Sequence, residues 1–91
     1  MIRRRVVVHG FVHGVYFRDS VRRRAVSTGV AGWVRNNREG TVEAVLEGDP
    51  DAVERVVDFC RDGPRGARVD DVEIVEEEPE GLAGFAIRSS S

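Results

Sequence analysis

The sequence predicts an α+β domain of ferredoxin-like βαββαβ topology. The expected sheet is antiparallel, ordered 4-1-3-2 with a short fifth strand, and carries both helices on one face. Three observations lead there. Runs rich in β-branched residues are interleaved with two stretches of 3.6-residue apolar period. The second and third runs are joined by a turn-forming pentapeptide, which makes them a hairpin rather than a crossover unit. The 91 residues, 41% apolar and 33% charged, suffice for one modest core and no second, so residues 1–91 are read as a single domain.

The elements follow in order. Arg3 to Gly10 centres on Val6-Val7-Val8, three β-branched residues suited to a central strand. Gly10 to Val15 is a loop bounded by two glycines. From Tyr16 to Thr28 the period changes: Phe17, Val21, Arg24-Ala25 and Thr28 share a helical face, and Gly29 stops the helix. Val30 to Arg35 reads as a strand, Asn36 to Gly40 as a turn and Thr41 to Leu46 as a strand. In that third strand Val42, Ala44 and Leu46 alternate with Thr41, Glu43 and Val45. Asp49-Pro50-Asp51 starts a second helix: Asp49 caps, Pro50 fits the first helical position and Asp51 complements the dipole. Val53, Val56, Val57 and Cys60 form its apolar stripe, and Gly63-Pro64 ends it. Arg65 to Val69 is a loop and Asp70 to Glu77 a strand. Glu76 to Glu80 turns, Gly84 to Arg88 is a last short strand, and Ser89 to Ser91 is a frayed tail.

Composition narrows the function classes. No stretch approaches the roughly 18 apolar residues of a membrane span. After Arg3-Arg4-Arg5 only Val6-Val7-Val8 precede His9, too short for a signal peptide, so the cytoplasm is the expected compartment. Net charge is −2, yet residues 1–38 carry nine Arg against Asp19 alone while residues 39–91 are strongly acidic, which suggests an anionic ligand. All 14 basic residues are Arg, so every cation is permanent and offers a planar donor fork.

The informative segment is Gly10-Phe11-Val12-His13-Gly14-Val15-Tyr16-Phe17-Arg18, between a strand and a helix start. Its glycines permit positive φ, so successive amides can point into one concavity that the free amides of the helix join. Arg18 lies in the first helical turn, where a cation opposes the dipole by about 0.3–1 kcal/mol. That placement makes sense beside a bound anion, because the guanidinium can grip two oxygens of one phosphate. The same spacing also suits a plain tight connection with Arg18 on the surface. No Gly-Lys-Ser/Thr closes the loop, so it is no Walker loop. A second segment, Gly32-Trp33-Val34-Arg35-Asn36-Asn37-Arg38-Glu39-Gly40-Thr41-Val42, places Asn36 at a strand end; alone it reads as a turn.

Together these segments resemble the two signatures of the acylphosphatase family, and Gly84-Phe85-Ala86-Ile87-Arg88 resembles its ending. The resemblance covers residues 5–88 and departs at His13, where the family usually has Gln. It implies hydrolysis of a carboxylic–phosphoric anhydride to carboxylate and inorganic phosphate. In that reading the catalytic residues are Arg18, clamping the phosphoryl oxygens, and Asn36, orienting the attacking water. The amides of Val12, His13, Gly14, Val15, Tyr16 and Phe17 hold the same oxygens. The implied partner is a small acyl phosphate, with no metal or cofactor, no nucleic acid, no membrane and a monomeric chain. His13 raises the question of a pH-dependent charge beside the phosphate.

Other features read as structural. His9 and His13 span a strand end and a loop and lack a third ligand. Cys60 is a buried thiol on the second helix. Arg22-Arg23-Arg24 is a solvated helix face, and Glu76-Glu77-Glu78 a charged edge that discourages strand addition. Trp33 packs in the core or on a sheet face. An RNA-binding module would need exposed aromatics on the central strands, which here offer valine, alanine and leucine. A carrier domain that merely binds phosphate would keep Arg18 and the loop but has no need of Asn36.

Overall fold

The protein is described by a computed structural model over residues 1–90; the end of the expected tail, Ser91, lies outside the described residues. Its elements are β1 (Ile2–Phe11), α1 (Phe17–Thr28), β2 (Ala31–Asn36), β3 (Val42–Gly48), α2 (Pro50–Asp62), β4 (Arg68–Glu77) and β5 (Phe85–Ile87). The sheet order is β4-β1-β3-β2-β5. The expected ferredoxin-like architecture is present, with one difference: β5 pairs parallel to β2, so the sheet is mixed rather than antiparallel throughout. The reason is a crossing. β4 ends at the edge beside β1, and residues 78–84 carry the chain past the sheet end to the opposite edge, where β5 runs alongside β2.

The helix-facing side of the sheet is the core. Val6 and Val8 of β1, Val34 of β2, and Val42, Ala44 and Leu46 of β3 are buried against Phe17, Val21 and Ala25 of α1 and Val53, Val56, Val57 and Cys60 of α2. Each valine, leucine or phenylalanine among them contributes roughly 1.5–3 kcal/mol when fully buried. The helix signals act as expected. Asp49 accepts from the Asp51 amide at 3.2 Å with Pro50 at the first position, and Gly29 closes α1 in the left-handed region. Arg24 is the exception on the α1 face: it is exposed, its guanidinium 4.7 Å from the Phe59 ring centroid. Cys60 is buried, and burial pushes its thiol up to about 12.

The alternation expected in the third strand does not separate buried from exposed, because β3 is covered on both sides. On the open side Glu43 and Glu47 are buried beneath arginine side chains. Arg3 Nη1 donates to Glu47 at 2.8 Å and its Nε to Glu77 at 2.8 Å; Arg5 pairs with Glu43 and Glu77, and Arg35 with Glu43 at 3.0 Å. Trp33 lies in this layer, with the guanidinium carbons of Arg5, Arg35 and Arg88 at 5.6, 5.1 and 4.7 Å from its ring centroid. The long aliphatic stems of arginine cover apolar surface while their heads pair with carboxylates. Much of the basic first half is thus matched across strands by the acidic second half, which contributes contact energy to the sheet. β4 runs to Glu77 as the strand reading had it, so the turn begins only after Glu77, which is half-buried by its two arginines.

Candidate active site

β1 carries a bulge between His9 and Gly10, after which Gly10 and Phe11 pair with Val69 and Arg68 of β4 before the strand ends. A Cβ at Gly10 would stand 2.1 Å from the Arg68 carbonyl oxygen, so only glycine permits this approach. The loop turns through Gly14 at φ 72° and Tyr16 at φ 59°. Tyr16 is the one non-glycine residue of positive φ among the described residues. That conformation costs an L-residue roughly 1–2 kcal/mol. α1 then begins with no capping side chain, leaving its first amides for another acceptor.

These pieces form one cleft of about 410 Å³ lined by Val12, Gly14, Tyr16, Phe17, Arg18, Asp19, Asn36 and Ile87. Strand alternation explains how Asn36 reaches it. Asn36 shares the helix-facing side of β2 with buried Val34, whereas Asn37 faces the open side and donates from Nδ2 to Thr41 at 3.1 Å and Glu43 at 3.2 Å. Phe17 is buried at the head of α1, its ring centroid 6.4 Å from that of Phe59. This anchors the helix start, and with it Arg18, beside the end of β2. Unlike Arg3, Arg5 and Arg35, Arg18 has no carboxylate within ion-pair distance among the described residues.

Two of the expected loop residues send their side chains elsewhere. Val15 packs against the core. His13 Nε2 stands 2.8 Å from the Thr41 carbonyl oxygen, which also accepts from the Asn37 amide at 2.9 Å. A carbonyl can only accept, so His13 donates from Nε2. It thereby ties the loop to the turn that follows Asn36. Two lining residues escaped the sequence reading. Asp19 is ion-paired to Arg23 at 3.1 Å, an i,i+4 contact visible in the spacing. Ile87 arrives through β5, whose Val34 partner sets its register. His9 is engaged by Glu73, and no cluster of three or more metal-ligating side chains occurs among the described residues.

A model of the acylphosphatase family matches residues 4–87. An acylphosphatase of Gloeobacter violaceus is 51% identical over 89 residues, covering 98% of this chain and 96% of that protein. One of Rubrobacter xylanophilus is 56% identical over 85 residues, covering 92% and 77%. The crystal structure of acylphosphatase from Bacillus subtilis aligns with a TM-score of 0.93 at 35% identity, covering 97% of this chain and 99% of that one.

Proposed function

This chain belongs to the acylphosphatase family, and we propose that Arg18, the loop amides and Asn36 divide the work of its reaction among them. The reaction is hydrolysis of an acyl phosphate to a carboxylate and inorganic phosphate. The observation that carries the assignment of roles is the single cleft in which a cation with no carboxylate partner among the described residues, an uncapped helix start and a strand-end amide meet.

The phosphoryl group sits against the amides of Val12, His13, Gly14, Val15, Tyr16 and Phe17, with the Arg18 fork on two of its oxygens. Its transition state is loose, so catalysis consists of positioning and charge stabilisation. The leaving carboxylate is the base of an acid with a pKa near 4, by analogy with side-chain carboxyls, and departs without a general acid. Asn36 accepts from the attacking water through its carbonyl and steadies it with its NH₂. The substrate takes the water's proton. Asp19, held by Arg23, is not needed as a base.

The positive charge of the cleft comes from Arg18 and backbone dipoles, and we propose that no metal or cofactor takes part. The protein acts as a cytoplasmic monomer on a small molecule. Its open sheet face presents guanidinium–carboxylate pairs over Trp33 rather than bare aromatics, which speaks against stacking of single-stranded nucleic acid. No helix among the described residues is long and apolar enough to cross a membrane. The test is phosphate release from acetyl phosphate, with competition by inorganic phosphate, before and after exhaustive EDTA treatment. Turnover that EDTA leaves unchanged supports the proposal; turnover that returns only with added Mg²⁺ overturns the metal-free mechanism.

A further inference from the structure

We propose that the Tyr16 ring, together with Ile87, receives the acyl group and sets how far this enzyme favours benzoyl phosphate over acetyl phosphate. The proposal rests on the reading of the cleft given above. Within that cleft the phosphoryl end is claimed by Arg18 and the loop amides. The acyl end must lie against what remains of the lining, and its exposed apolar members are Tyr16 and Ile87, 81% and 42% exposed.

Tyr16 has a second peculiarity. It holds a left-handed backbone conformation that glycine adopts without strain, and no other non-glycine residue among the described residues does so. A phosphate cradle built from backbone amides has no use for a side chain at this point. A ring that is 81% exposed returns almost nothing through burial on folding. The strain is therefore offset neither by packing nor by the cradle. Strain retained at a site edge points to a functional side chain. A large ring on the cleft wall offers an apolar acyl group a stacking partner that an acetyl group is too small to use.

Stacking on one aromatic ring is worth about three- to tenfold in binding. The experiment compares kcat/KM for benzoyl phosphate and acetyl phosphate in the parent, Tyr16→Gly, Tyr16→Phe and Ile87→Thr. Inorganic phosphate inhibition reports on the cradle in each. The benzoyl-to-acetyl ratio should fall about three- to tenfold in Tyr16→Gly, the scale of one aromatic contact. It should fall less in Ile87→Thr and hold in Tyr16→Phe. Tyr16→Gly should unfold at no lower temperature than the parent, since it removes strain. Unchanged ratios in both Tyr16→Gly and Ile87→Thr overturn the proposal. So does an equal loss of both substrates and of phosphate inhibition in Tyr16→Gly, which would make the ring part of the cradle. A parent that hydrolyses neither substrate fails at the earlier step and removes the reading of the cleft itself.

Discussion

Glu47 is a residue whose replacement by a near-isostere should cost this fold several kcal/mol. Its carboxylate is 1% exposed and sits where the chain crosses from β4 to β5. It accepts from the amides of Glu80 at 2.8 Å, Gly81 at 3.1 Å and Leu82 at 3.1 Å, and from Arg3 Nη1 at 2.8 Å. Burial alone would push its pKa up, but these donors outweigh burial and bring it from 4.5 to about 2. At about 1.4 kcal/mol per pH unit, that interval stabilises the fold by about 3 kcal/mol. The sign follows from the depressed value. The contribution is complete above the unfolded pKa near 4.5 and is lost as the pH falls towards 2. Glu47→Gln should therefore destabilise by about 3 kcal/mol at pH 7, a large part of the roughly 5–14 kcal/mol expected of a domain this size. The assay is urea unfolding of parent and variant at pH 7, 5, 4 and 3. The two midpoints should stay well apart at pH 7 and 5 and converge steadily below pH 4.5. A gap that is small at pH 7, or as wide at pH 3 as at pH 7, would refute the assignment of this stability to the ionised carboxylate.

The remaining predictions concern the cleft. Arg18→Ala should lose kcat/KM by about 10³-fold, the equivalent of about 4 kcal/mol between unit charges at 4 Å and an effective dielectric of 20. Competitive inhibition by inorganic phosphate should vanish with it, and near-parental activity would sink the mechanism. Asn36→Ala should lower kcat by about 10²–10³, the scale of one preorganised transition-state contact, while phosphate still inhibits. Equal loss of turnover and phosphate binding would instead make Asn36 a phosphate ligand. His13→Leu removes the tether to Thr41, worth about 0.5–1.5 kcal/mol, and should lower kcat/KM up to about tenfold. His13→Gln can still donate to the carbonyl and should recover most of that loss with a pH profile parallel to the parent's. A Gln variant as impaired as the Leu variant would rule out the tether.

Local pattern made much of this protein readable. Valine runs, the Asp49-Pro50 start and the stripe Val53, Val56, Val57, Cys60 encode their elements within a few residues of themselves, because backbone geometry repeats at a fixed period. The candidate site was legible for the same reason. The loop from Gly10 to Arg18 is one continuous segment, and Asn36 stands at a strand end that its own turn marks. Two residues misled. Arg24 occupies the inner face by spacing, but its head remains in water over Phe59. Glu43 alternates with Val42 and Ala44 as a solvent-facing residue should, and it is buried.

What the sequence by itself determined is therefore the set of elements, their order, and the segment proposed to build the cradle. Only the tertiary structure decided what depends on partners far apart in the chain. The side of the sheet on which β5 settles brings Ile87 to the cleft, and the crossing segment that leads there is held by the Glu47 carboxylate more than 30 residues away. The fate of the arginines is of the same kind. Arg3, Arg5 and Arg35 find carboxylates 44, 72 and 8 residues distant, and Arg18, of the same residue type, finds none among the described residues. Residue spacing encodes neighbours along a helix or strand. It carries no record of which charges a closed sheet will place in contact, because register and desolvation settle that only once the chain has folded.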